Sequence, residues 1–306
     1  MIDFKKAYYI KLGSHSKWAS NSLENNLIRI GWSNIPINLI KNNDWDEIYK
    51  INRLTSKDDG SATRDFNALK RIITADEKTV FITFENSMLY WCIPSSEVDI
   101  EEDKISKFRR VKGSWSSKDI DGNLLYINRI SGNITKTQRF SGTLCKIHDF
   151  NTLHRLLNHQ ISEDAILLNT AKINLEKTIE AIIKNLHWKD FELLIDLMFR
   201  ETGWQRISVL GESMKFVDLE LIDPITEDLY QVQIKSSSSK DQFIEYVDKF
   251  DNENFRRLYY IVHTISDDLS DSSLLQDKDV EIWSISEIAK NVVKYGLVDW
   301  LIDKTM

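Results

Sequence analysis

Apolar and polar residues alternate in short runs through the first half of the chain: Tyr8 to Leu12, Thr79 to Phe84, Leu89 to Ile93, Leu124 to Ile127 and Thr143 to Ile147. A period of two sends successive side chains to opposite faces of a strand. The runs are separated by turn-forming clusters, Asp58-Asp59-Gly60-Ser61, Asp121-Gly122-Asn123 and Ser131-Gly132-Asn133, whose short polar side chains and glycines favour chain reversal. The pattern predicts a compact, curved sheet or barrel with a few helices.

Near residue 160 the period changes. Ile173 to Asn185 and Trp188 to Thr202 carry apolar residues at helical spacing; in the second, Phe191, Leu194, Ile195, Met198 and Phe199 form one stripe, and Gly203 stops it. Two strands follow, Phe216 to Ile222 and Tyr230 to Lys235, joined by Asp223-Pro224-Ile225-Thr226-Glu227-Asp228. A helix from Asp241 to Phe250, a strand from Leu258 to Thr264, a short strand from Val280 to Ser284 and a helix from Ser286 to Leu301 complete the chain. The fold class is therefore α/β (α+β) in two domains, 1–160 and 161–306, with the boundary between residues 155 and 175.

Composition narrows the classes. No run of about 18 apolar residues exists, which excludes a membrane-spanning helix, and the first residues lack a secretory signal. The two cysteines, Cys92 and Cys145, sit in strand-like runs and read as buried, reduced thiols of a cytoplasmic protein. No CxxC pair and no histidine spacing suggests a zinc site. The formal net charge of −7 argues against nucleic acid as a partner. A metal-dependent phosphodiesterase must nevertheless gather carboxylates, and a bound cation inverts the local field. Local basic groups are also present, at Arg109-Arg110-Lys112, Arg139 and Arg256-Arg257.

The two-strand segment carries the chemistry. Alternation sets Asp218 and Glu220 on one face of the first strand, and Gln231, Gln233 and Lys235 on one face of the second. Antiparallel pairing can bring two carboxylates, two amides and an ammonium onto one surface; the plain alternative is an amphipathic hairpin with a solvated face. The order of an acid-bearing helix (Phe191-Glu192), Gly203-Trp204, Val217-Asp218-Leu219 and Val232-Gln233-Ile234-Lys235-Ser236 resembles the PD-(D/E)xK nuclease superfamily. It is most similar to its Mrr-like restriction endonucleases, in which Gln-x-Lys stands where most relatives have an acid before Lys. The resemblance spans about residues 175 to 285.

It implies an Mg2+-dependent DNA endonuclease with a restriction-endonuclease-like mixed sheet flanked by helices. Asp218 would be the principal metal ligand, with the Gln233 amide oxygen beside it and Glu220 able to compensate for the missing acid. Lys235 would orient the attacking water and stabilise transition-state charge, and Glu192 would hold the metal's hydration shell or a second metal. The Ser236-Ser237-Ser238-Ser239-Lys240 run reads as a loop and helix cap.

The first half is rich in tryptophan: Trp18, Trp32, Trp45, Trp91 and Trp115. Most such residues are core, but Trp115 lies near Arg109 and Arg110, and aromatic rings beside cations suit an extruded base and its phosphates. Ile10-Lys11-Leu12-Gly13 with Ile28-Arg29-Ile30-Gly31-Trp32, and later Phe140-Ser141-Gly142-Thr143, resemble a PUA-like or EVE-like barrel that reads modified bases. Trp32, Trp91 and Trp115 would bind the base, and Arg109 and Arg110 the backbone. Together the two resemblances imply a type IV-like, modification-dependent restriction endonuclease for phage defence, cytoplasmic and homodimeric on double-stranded DNA. The competing readings are an endonuclease for an unmodified sequence, a non-catalytic nucleic-acid-binding protein on a degenerate nuclease fold, and a metabolic α/β protein.

Overall fold

The computed structural model describes residues 1–97, 100–103, 105–207, 217–266 and 279–306. The chain divides into two compact units, Met1–Ser162 and Glu163–Met306.

In the first unit the strands are β1 (Lys6–Ile10), β2 (Leu27–Ile30), β3 (Thr79–Glu85), β4 (Met88–Cys92), β5 (Ile100–Glu102), β6 (Lys107–Arg110) and β7 (Leu144–Lys146). The helices are α1 (Ala19–Glu24), α2 (Ile37–Lys41), α3 (Trp45–Thr55), α4 (Asp59–Ile73), α5 (Gly132–Thr135) and α6 (Phe150–Leu157). They build a four-stranded sheet ordered β4-β3-β1-β7 and a three-stranded sheet ordered β2-β6-β5. β1 runs parallel to β3 and antiparallel to β7.

The expectation of a PUA- or EVE-like barrel is wrong: among the described residues no sheet closes. The first sheet ends at β4 and β7, and the second at β2 and β5. Joins such as Trp91↔Ser116 and Pro94↔Val111 are isolated bridges rather than ladders. Closure needs continuous pairing around the sheet, and here α3 and α4 pack on each other beside short strands instead. Two local readings, one turn and one strand, fail with it. Asp58 is the N-cap of α4, accepting from the Ser61 N–H at 2.8 Å, and the expected strand at Leu124 to Ile127 makes only the bridges Lys118↔Leu124 and Met88↔Tyr126 before a 3-10 turn.

The second unit contains α7 (Glu163–Lys184), α8 (Trp188–Glu201), β8 (Gln205–Arg206), β9 (Leu219–Ile222), β10 (Leu229–Ser238), α9 (Lys240–Asp248), β11 (Arg257–Ile265), β12 (Val280–Trp283), α10 (Ile285–Lys294) and α11 (Val298–Asp303). A mixed five-stranded sheet runs β12-β11-β10-β9-β8, with β10 parallel to β11 and antiparallel to β9. The predicted stripe Phe191, Leu194, Ile195, Met198 and Phe199 is buried on α8. It joins Val232 and Ile234 of β10, Ile261 of β11 and Ile288 of α10 in one core. On the other side of β11, Tyr260 and Val262 pack with Phe243 of α9. The sheet is thus covered on both faces, which buries Gln231 and Gln233 as well as Val232 and leaves no solvated hairpin face.

Several boundaries move for identifiable reasons. α7 begins ten residues before Ile173, at Glu163. The last helix is two, broken where Gly296 takes a left-handed φ of 73°. Ser236 to Ser238 extend β10, and Ser239 forms a capping box with Gln242 at the start of α9. The expected strand start at Phe216 lies outside the described residues. No helix of the described residues is long and apolar enough to cross a membrane.

Candidate functional site

The end of α8 fixes one wall of the site. Thr202 caps the helix and Gly203 turns it with φ 88°. Trp204 then stacks between Phe199 and Tyr230, at 5.4 and 4.2 Å between ring centroids. Asp218 stands just before β9, and its N–H donates to the Val232 carbonyl at 3.0 Å. That bond sets the carboxylate against β10. It accepts from the Ile234 N–H at 2.6 Å and from the Gln233 side-chain amide.

Asp218 and Glu192 line a cleft of about 260 Å³ together with Lys189, Asp196, Arg200 and Arg206. Burial pushes the Asp218 carboxyl above its usual range; the Ile234 N–H, Lys235, Gln233 and Arg206 pull it back. Glu192 is raised first by burial and then by the charge of Asp218, with Lys235, Arg206 and Lys189 opposing. Glu192 therefore senses Asp218, and both sense Lys235. Burial alone would lower the Lys235 ammonium, but its hydrogen bond to Tyr246 and the charges of Tyr246 and Asp218 leave it above its ordinary value. Its Nζ lies 5.1 Å over the Tyr246 ring. Lys235 is consequently a fixed cation, unsuited to general-base work.

Glu220 pairs in register with Gln231 on β10 and does not line the cleft. Asp196, Arg200 and Arg206 do, and sequence reasoning missed them. The signal for Asp196 was available: it lies four residues after Glu192 on one helix face. Asp196 is buried, with one carboxylate oxygen 2.7 Å from Arg200. Its Oδ1 and the Gln233 Oε1 are both buried without a hydrogen-bond partner.

Among the described residues no group of three or more His, Cys, Asp or Glu side chains is placed to hold a metal ion. The cleft nonetheless fits a hydrated hard cation. Such an ion needs only one or two carboxylates beside its waters, the donors are oxygens, and the Asp196 Oδ1 in the cleft lining is buried without a partner. Asp218 and Glu192 would hold it.

The proposed reader residues are not gathered in one place. Trp115 is buried, its indole donating to the Leu27 carbonyl at 2.9 Å, and Trp91 donates to Lys118 at 2.8 Å. Arg109 is 1% exposed, and its guanidinium donates to the carbonyls of Ile72, Ile73 and Ala75, closing the C-terminus of α4, and to Ser95. Arg110 is exposed and pairs with Glu101 at 3.2 Å. Only Trp32 of the five lines a cavity of about 630 Å³, which it shares with Trp18, Asn34, Asp65 and Lys17. Trp32 has φ 60°, a left-handed conformation that strains a bulky residue. Buried Lys107 donates to its carbonyl at 2.8 Å. Burial holds the Asp65 carboxyl above its usual range, against the pull of Arg64.

No protein-family model matches this chain, and no curated protein does. Among solved structures it is similar to a DNA modification-dependent restriction endonuclease, AspBHI, at 9% identity over 86% of this chain and 74% of that one, with a TM-score of 0.34. The likeness is a distant one to a restriction-endonuclease-type protein. It does not extend to an Mrr-like nuclease fused to a PUA-like reader, and the site's chemistry rests on its own geometry.

Proposed function

We propose that the chain acts on DNA and that its second unit hydrolyses phosphodiester bonds with a divalent cation, Mg2+ by preference. The observation that carries this reading is the cleft of about 260 Å³ that Asp218 and Glu192 line together, both of them raised carboxyls on which the Lys235 ammonium acts. Paired acids that repel in a half-buried cleft are relieved by a cation, and that relief is binding energy. A cation held there would supply an acidified water and neutralise charge on the phosphate. Asp218 and Glu192 hold its position. Lys235 stabilises the charge that develops on the phosphate oxygens, and Lys189, Arg200 and Arg206 draw the backbone into the cleft.

In this reading the first unit chooses the target. The cavity beside Trp18 and Trp32 has a volume in the range that holds small molecules, enough for one base. A modified base is the ligand proposed for it.

A second reading, a non-catalytic nucleic-acid-binding protein, is favoured by two specific observations: Gln233 caps the Asp218 carboxylate, and the described residues include no third ligand. Incubation with Mg2+ and matched duplexes bearing plain cytosine, methylcytosine, hydroxymethylcytosine or methyladenine separates the readings. Cleavage of any duplex supports hydrolysis, and preference for one modified duplex supports the reader. Salt-sensitive binding to all of them without cleavage favours the second reading.

A further inference from the structure

α7 is 22 residues long, yet only Ile179 and Ile183 on it are buried. Its C-terminal half packs against α10, α11 and β11. The face that carries Ile179 and Ile183 continues toward the N-terminus through Leu175 and Leu168, spaced by seven residues, but there it is open. Leu168 is 72% exposed, and Leu175 on the same face is exposed too. A stripe that is core at one end and bare at the other is an interface half-used.

The sequence along this stripe is self-complementary about Leu168. Four residues on either side stand Asp164 and Lys172, and three residues on either side stand Ala165 and Ala171. Two copies of the helix crossing antiparallel at Leu168 would set Asp164 against the partner subunit's Lys172, twice. They would also set alanine against alanine, so that the backbones approach closely, and leucine against leucine at the two-fold axis. Parallel pairing in register would instead oppose lysine to lysine and aspartate to aspartate. Lys172 makes a loose contact of 3.8 Å with Glu176 on its own helix, which an exposed side chain gives up at little cost.

We propose that the N-terminal half of α7 is a dimerisation seam, occupied by the same helix of a second copy in an antiparallel, two-fold arrangement centred on Leu168. An isologous contact of this kind closes on itself and stops at two copies. The exposed half is about 18 Å long, shorter than the patch of a permanent dimer, so the association is weak, with a dissociation constant on the order of micromolar. It would bring two clefts to one duplex. The seam itself is independent of the cleft chemistry and is tested without cation or DNA.

The test uses the full chain with Cys145→Ser as background, Cys92 being buried. Under mild oxidation, Leu168→Cys is expected to form a covalent dimer, because the residue meets itself at the axis. Leu175→Cys is expected to stay unlinked, since in this arrangement its two copies lie about 21 Å apart along the helices. Asp164→Lys should weaken the sedimenting dimer at least tenfold, and adding Lys172→Asp should restore it. Linking of both cysteine variants would overturn the antiparallel crossing. A wild-type chain that sediments as a monomer at hundred-micromolar concentration, with Leu168→Cys unlinked, would overturn the seam.

Discussion

The side-chain amide of Gln233 donates to the same carboxylate oxygen of Asp218 that accepts from the Ile234 N–H. This places an amide where a second acid would repel. It leaves the Gln233 Oε1 buried without a partner, so this arrangement satisfies one half of the amide at the expense of the other. Bringing the amide oxygen toward a cation beside Asp218 would reverse that choice.

Gln233→Glu tests how the protein solves this local problem. A second buried carboxylate against Asp218 should cost about 2 kcal/mol without cation. Millimolar Mg2+ should recover most of the loss, through linkage between binding and folding. Thermal melts with and without Mg2+ measure both. A variant as stable as wild type without cation would mean that Asp218 is not ionised beside it.

The raised carboxyls give a signed pH dependence. A carboxyl whose folded value exceeds its unfolded value favours folding at pH below the unfolded value, and that contribution is lost as pH rises through the folded value. Asp218 and Glu192 are both raised, so each destabilises the unit at neutral pH relative to pH near 4. Asp218→Asn keeps an oxygen for the Ile234 and Gln233 donors and removes the charge. It should raise the neutral-pH melting temperature by about 2–4 °C and abolish stabilisation by Mg2+. A variant that melts lower than wild type at pH 7 would contradict the assignment.

Arg109 should prove structural. Arg109→Met leaves the carbonyls of Ile72, Ile73, Ala75 and Ser95 without their donor, at a cost of about 3 kcal/mol. Urea denaturation should show this loss, with DNA affinity of the folded fraction unchanged. A selective loss of affinity at full stability would return Arg109 to a backbone-binding role.

Trp32 and Trp91 should separate in binding. Trp32 lines the cavity, whereas the Trp91 indole is committed to the Lys118 carbonyl. Trp32→Ala is expected to reduce discrimination between duplexes at least tenfold, a loss typical of one stacking contact, and Trp91→Phe to leave it intact. Competition binding with modified and plain duplexes reads both, and equal effects would place the target site elsewhere.

The second unit was more legible than the first because its elements follow simple periods. The α8 stripe is long and uninterrupted, and Glu192 on that helix lines the same cleft as Asp218. The first unit hides its helices. In α4 the buried positions include the small Ala62 and Ala68, and the capping residues Asp58 to Ser61 look like a turn. Depth was hidden for a related reason: an indole near arginines in sequence says nothing of it, and both Trp115 and Arg109 are interior. Asp65, which lies on α4 and lines the cavity with Trp32, is distant from it in sequence and visible only once the chain is folded.

The most direct test of the account is duplex cleavage in Mg2+ by wild type, Asp218→Asn and Lys235→Ala, with binding measured in parallel. Wild type is expected to cleave, and each variant to lose cleavage by a factor on the order of 10² or more, with DNA still bound. Wild-type protein that binds duplex in a salt-sensitive way but cuts none would contradict hydrolysis and leave a binding protein in place of a nuclease.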